Sequence, residues 1–136
     1  MYNFQTFDVP GGAADESWGI NSAGEVVGYY STANGNLGFL YNPATQTFTA
    51  LNGPSGASDI RAFGINDNGA IVGDYRDSSN NTHGFLYANG TYQTINGPGA
   101  QFGTTVTGIN NSGQLSLTYF TSSANSAYRW TPSGSG

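Results

Sequence analysis

One phrase occurs three times. Residues 18–30 read WGINSAGEVVGYY, residues 63–75 read FGINDNGAIVGDY, and residues 107–119 read TGINNSGQLSLTY. Gly-Ile-Asn begins at Gly19, Gly64 and Gly108, at spacings of 45 and 44 residues. A period in this range marks a solenoid, a propeller or an array, in which stacked neighbours bury what no single unit can bury alone. Each copy places Asn-x-x-Gly between two short apolar runs. Asn suits the first position of a type I turn, and Gly supplies the positive φ that closes a short hairpin. The runs that follow, Val26-Val27, Ile71-Val72 and Leu115-Ser116-Leu117, are too short and too β-branched for helices. The phrase is a β-hairpin, and its recurring Asn and Gly residues read as structural.

Two further segments keep the same period. A strand-like run opens on an aromatic at Phe4, Phe48 and Tyr92, 44 residues apart each time, and stops at a Gly/Pro turn. Another occupies residues 38–41, 84–87 and 127–130, after a variable polar loop at 31–36, 76–82 and 121–126. Each unit therefore holds four short strands. The reading is one domain over residues 1–130, with units at about 4–47, 48–91 and 92–130, and a flexible tail at 131–136. The run at 4–9 is a fourth strand with no unit before it, and the last unit lacks its own. This offset predicts that the N-terminal strand closes the last unit, as in a ring.

Composition narrows the function classes. A chain of 136 residues suits one domain with a real core. There is no Cys, so disulfides, thiol chemistry and Cys-ligated zinc are excluded. There is no Lys; Arg61, Arg76 and Arg129 are the fixed cations, and the net charge is −5. Nucleic acid and anionic membranes need clustered cations, so neither is an expected partner. No apolar run is long enough to span a bilayer, and no charged start precedes an apolar stretch as in a signal peptide. The chain is expected to be the mature part of a secreted or cell-surface protein. Aromatics at 14% argue against disorder.

The units resemble the extracellular HAF-repeat family of secreted or surface-anchored bacterial proteins. The resemblance rests on Gly-Ile-Asn-x-x-Gly-x-Val-Val/x-Gly-x-Tyr followed by His-Gly-Phe-Leu-Tyr, best matched at residues 64–75 and 83–87. The first unit has Leu37 at the position of the His. The third has Leu117 for a glycine and Ser-Ala-Tyr-Arg-Trp at 126–130 for the last motif. The resemblance implies export and a propeller-like β architecture, and no established reaction.

The expected fold is therefore all-β: three four-stranded antiparallel repeats, as propeller blades. Propellers close with 4–8 blades, so two chains would complete a six-bladed ring as a homodimer. The alternatives are a β-trefoil and a fragment of a longer propeller.

Catalysis finds little support. His83 is the single histidine, it belongs to the repeat pattern, and no Gly-x-Ser-x-Gly elbow is present. No cofactor or metal is expected; Asp74, Asp77, Ser78, Ser79 and Asn80 offer oxygens to Ca²⁺ without EF-hand spacing. Asp15 and Asp59 read as equivalent loop caps. The better lead is a ligand gripped by aromatic stacking and a few polar groups, as neutral sugars commonly are. Trp18 and Tyr29 supply the faces, and Asp74, Arg76, Asp77 and His83 supply the polar set around the richest variable loop. The expected function is a non-catalytic extracellular binding module for carbohydrate. The alternatives are a self-assembling surface repeat and, last, a hydrolase.

Overall fold

The computed structural model describes residues 1–12 and 14–132. Among these residues there is no helix and there are eleven strands, in three antiparallel sheets. The first sheet has the order β1 (Asp15–Ile20), β2 (Val26–Thr32), β3 (Gly35–Asn42), β4 (Thr47–Leu51). The second repeats it with β5 (Ser58–Ile65), β6 (Ile71–Arg76), β7 (Thr82–Ala88) and β8 (Thr91–Ile95). The third has three strands, β9 (Gly103–Ile109), β10 (Leu115–Phe120) and β11 (Asn125–Trp130). The sheets form no closed barrel, which sets the trefoil alternative aside. Among the described residues no helix is long and apolar enough to cross a membrane.

The sheets are joined by apolar layers in chain order. Val27 and Leu51 of the first sheet pack with Ile60, Ile71 and Phe85 of the second. Val72 and Ile95 of the second pack with Val106, Leu115 and Leu117 of the third. Alternation along each strand produces these layers: Val26 faces one side and Val27 the other, so a middle sheet is apolar on both faces. Burying a side chain such as Ile71 or Leu115 stabilises the stack by about 1.5–3 kcal/mol.

The repeated asparagine explains why successive units stay in register. Within each turn its side-chain oxygen accepts two backbone N–H groups: from Ala23 and Glu25 at Asn21, from Asn68 and Ala70 at Asn66, and from Ser112 and Gln114 at Asn110. Its side-chain nitrogen then points to the next unit. Asn21 Nδ2 donates to the Asn66 carbonyl at 3.2 Å, and Asn66 Nδ2 to the Asn110 carbonyl at 3.1 Å. A second rung lies beside it: Ser22 N–H donates to Asp67 Oδ1 at 2.8 Å, and Asp67 N–H to Asn111 Oδ1 at 2.9 Å. The glycine closing each turn has the expected positive φ, 79° at Gly24 and Gly69 and 76° at Gly113. The glycine before Ile serves close approach: a Cβ on Gly19 would lie 3.0 Å from Gly64 Cα, and one on Gly64 3.3 Å from Gly108 Cα.

The expected strand at residues 4–9 is absent; the segment has no regular structure. Its backbone joins no ladder among the described residues. It packs through side chains instead. The Phe7 ring stacks on Tyr41 with centroids 4.5 Å apart and planes at 10°, and Val9 is buried against the first sheet. The expected tail at 131–136 falls outside the described residues beyond Pro132.

The ladder yields a paired prediction. Asn66→Asp removes the donor to Asn110 and sets a carboxylate beside that carbonyl in a buried site, at a cost of about 1–3 kcal/mol. Asn110→Asp should cost under about 1 kcal/mol, because Asn110 Nδ2 is exposed and spends itself on Gln114 of its own turn. Urea unfolding of both variants checks this; equal losses would refute the inter-unit role.

Candidate functional site

The same irregularity occurs in every unit. Register slips by one residue at Trp18 between Ser17 and Gly19, at Phe63 between Ala62 and Gly64, and at Thr107 opposite the Ser116–Leu117 step. A bulge of this kind re-aims the extra side chain. In the first two units it brings aromatics together: Trp18 and Phe63 meet edge to face at 5.3 Å, and Tyr29 meets Phe63 at 6.2 Å. The Arg61 guanidinium lies 5.4 Å from the Phe63 ring centre, and Tyr29 Oη donates to Glu16 at 2.8 Å. Trp18 remains 55% exposed, so this cluster does present an aromatic face.

Asp74 does not belong to a ligand face. It is buried to 1% exposure, and both oxygens are occupied. Arg61 grips them in a fork, Nε at 2.9 Å from Oδ1 and Nη2 at 2.7 Å from Oδ2, and Thr105 of the third unit donates to Oδ2 at 2.8 Å. Burial pushes this carboxyl above its ordinary value, against the pull of Arg61 and Thr105. The group therefore clamps the second unit to the third.

The remaining polar residues divide between two equivalent notches at the end of the molecule where the hairpin tips and the links between units meet. The first, about 320 Å3, lies between the tip of the β2–β3 hairpin and the start of the second unit. Its walls include Thr32, Asn34, Asn36, Asn52 and Asp59. Asp59 stands at φ 51°, a backbone region that Asp tolerates better than most residues. Asn36 holds it through Nδ2 at 2.7 Å, and Arg76 through Nε at 3.2 Å. The second notch, about 260 Å3, repeats the arrangement one unit on, with Asn81, Thr82, His83, Asn96, Gln101 and Gly103. Gly103, with φ 132°, stands where the first notch has Asp59.

His83 is fixed at both ring nitrogens, Nε2 2.8 Å from Asp77 Oδ2 and Nδ1 2.9 Å from Asn96 Oδ1. Partial burial works against its charged form, but the bonds to Asn96 and Asp77 outweigh it and raise His83 above 6.5. The His83 bond, with amides from Asn81 and Ser79, holds Asp77 well below the usual carboxylate range. Both ring nitrogens of His83 are thus engaged within the protein. Asp77 closes its own loop: Oδ1 accepts the Ser79 and Asn81 amides. Among the described residues no three His, Asp or Glu side chains gather as a metal site.

The six residues expected at one site thus occupy three places. Trp18 and Tyr29 sit in the aromatic cluster and Asp74 in the interior. His83 lines the second notch with Asp77 bonded behind it, and Arg76 reaches the first only through Asp59. Sequence reasoning missed Asn36, Asn96 and the notch role of Asp59. It paired Asp59 with Asp15, yet Asp15 is one step out of line: its Oδ2 accepts Val9 N–H at 2.8 Å, a loop cap. The signal for Asn96 was present in Asn-Gly-Pro, which recurs at residues 52–54 and 96–98.

Two predictions follow from the ion pairs. Arg61→Ala leaves the buried Asp74 carboxylate without its cation and should cost about 2–3 kcal/mol, low in the range for such pairs because the Arg61 side chain is 35% exposed. Arg61→Met with Asp74→Leu should recover most of that in thermal unfolding; a double variant no better than Arg61→Ala would refute the account. For the second pair, a raised His83 contributes stability fully below 6.5 and loses it as pH rises through its folded value. A lowered Asp77 contributes above 3.8 and loses it as pH falls. The loop should be firmest between those values. The His83 ring resonances should titrate above 6.5, and Asp77→Asn should move the midpoint down; an unchanged midpoint would deny the pairing.

Comparison of the chain with protein-family models, with curated proteins and with solved structures finds no match to any of them.

Proposed function

We propose that the protein is a non-catalytic extracellular binding module for carbohydrate, its sheets arranged as propeller blades. The observation that carries this reading is the pair of equivalent notches. Each is lined by amide, hydroxyl and carboxylate or imidazole groups on rigid strand ends, the setting in which loops usually bind. Such groups match a ligand rich in hydroxyls, and volumes of about 320 and 260 Å3 suit one or two sugar rings rather than a polymer buried along its length. Arg76, tied to Asp59, and Asp77, tied to His83, orient donors and acceptors without long searching side chains. Repetition of the notch favours a repeating ligand, because two weak sites on one scaffold add avidity. The likeness of the repeat phrase to HAF repeats supports a place outside the cell.

In the same reading two chains form a homodimer that completes a six-bladed ring. A second function, self-assembly as a surface repeat, is favoured by the asparagine ladder, whose rungs are the same from unit to unit. Titrating neutral and acidic glycans by calorimetry against the wild-type chain and an Arg76→Ala/Asp77→Ala variant separates these. Binding lost or weakened about 10-fold in the variant supports the notches. Binding that survives unchanged moves the site to Trp18 and Tyr29, and no binding across the panel favours self-assembly.

A further inference from the structure

The three units share an aromatic triad that the third leaves incomplete. In the first sheet Phe48 of β4 lies 5.8 Å from Phe39 and 4.8 Å from Tyr41 of β3. In the second Tyr92 of β8 lies 5.6 Å from Phe85 and 4.4 Å from Tyr87 of β7. Register ties the members together: Tyr41 pairs with Phe48, and Tyr87 with Tyr92. In the third sheet Trp130 pairs with Leu115 as Tyr41 pairs with Val26 and Tyr87 with Ile71. Tyr128 and Trp130 therefore hold the two β3-type positions, and among the described residues none holds the third. Tyr128 is 49% exposed, whereas its counterparts Phe39 and Phe85 are at 1% and 0%. Among the described residues β11 has a strand on one side only.

The missing part exists elsewhere in the same chain. Phe4 stands 44 residues before Phe48, as Phe48 does before Tyr92, and it is 95% exposed. The segment that carries it already leaves as a fourth strand would. Val9 N–H donates to Asp15 at 2.8 Å as Gly97 N–H donates to Thr104 at 2.9 Å. The turn Gly12 N–H to Val9 O repeats Ala100 N–H to Gly97 O, both at 3.0 Å. Phe7 covers the first sheet from the position where Leu51 covers the second. Residues 4–9 thus lie where the last strand of a preceding unit would lie.

We propose that the outer edge of β11 receives residues 4–7 of a second copy of this chain, with Phe4 completing the triad of Tyr128 and Trp130. This rests on the ring reading above and specifies its seam. By the register of the first sheet, Trp130 pairs with Phe4 of the second copy, Arg129 with Gln5 and Tyr128 with Thr6. The edge strand gains the backbone partners that an open edge lacks. The seam is more polar than the internal junctions. Ser116 stands in line with Val27 and Val72, and Arg129 with Leu40 and Leu86. Arg129 then lies over the Tyr41 and Phe48 rings of the second copy, where a cation is welcome. A polar seam is weaker than an internal one, so assembly depends on concentration.

Sedimentation equilibrium over a dilution series, on the wild-type chain and on Phe4→Ser, tests the seam. Phe4 touches almost nothing within one chain, so the variant should keep the wild-type circular dichroism. The expected result is a dimer in the wild type, weakened about 10-fold or more in Phe4→Ser. The chain has no cysteine of its own, so Gln5→Cys with Arg129→Cys in one chain should give a covalent dimer on oxidation. Gln5→Cys with Ser126→Cys, out of register, should not. A dimer that is indifferent to Phe4 and does not cross-link overturns the seam while leaving the ring reading intact. A monomer at every concentration overturns both.

Discussion

The stack depends on an asparagine that uses both ends of its amide. Asn66 accepts two backbone N–H groups within its turn and donates to the next unit from the other end. Aspartate could make the first set of bonds and not the last, and serine has too few atoms to make all three. The residue that shapes the hairpin is therefore also the residue that sets the next unit in register. Asp67 and Asn111 reinforce the same junction from solvent, where Ser22 and Asn111 keep the Asp67 carboxyl below its usual range. With the turns fixed, glycines at 19 and 64 let the opening strands come close, and the apolar layers close behind them.

The bulge is the second constraint, and it connects scaffold to surface. It falls at the same place in each unit but aims a different residue: Trp18, Phe63 and Thr107. Geometry is conserved along the chain while chemistry changes, so aromatic character fades from the first unit to the third. The notches vary in the same way. A carboxylate at Asp59 in one becomes a glycine at 103 in the next, and His83 enters where the first unit has Leu37. Equivalent backbones thus offer unequal sites.

Much of the fold was legible because its signals are local and repeated. The 44–45-residue period, the Asn-x-x-Gly turns and the three apolar runs per unit all describe contacts within a hairpin or between adjacent copies of it. The strand expected at residues 4–9 finds no partner within one chain, for a reason that a pattern cannot carry: a strand needs an edge, and alternation in sequence does not say whether one is nearby. The candidate site was legible in kind and not in place. Arg76, Asp77 and His83 cluster within eight residues, yet Arg76 turns to Asp59 of the neighbouring strand beside the first notch and His83 to Asn96 beside the second. Asp74 looked like a ligand because it is an acid beside a variable loop, but its position in β6 faces inward toward Arg61. The pairs that do cross a junction, Asn36 with Asp59 and Thr105 with Asp74, leave no mark in the spacing of either partner, since the distance between them depends on how sheets stack.

The asymmetry of the amide gives the stack a polarity. Both asparagine rungs run one way, from side chain to the carbonyl of the later unit. A neighbour approached from its wrong side would set donor against donor and acceptor against acceptor, so such an array is a vector with a head and a tail. Growth by tandem duplication preserves that sense automatically, because each new copy arrives in the same orientation as its template. Inversion of a unit would not. The ladder therefore restricts how chains of this kind can lengthen or be spliced: units can be added, removed or exchanged in whole periods, and in one direction only.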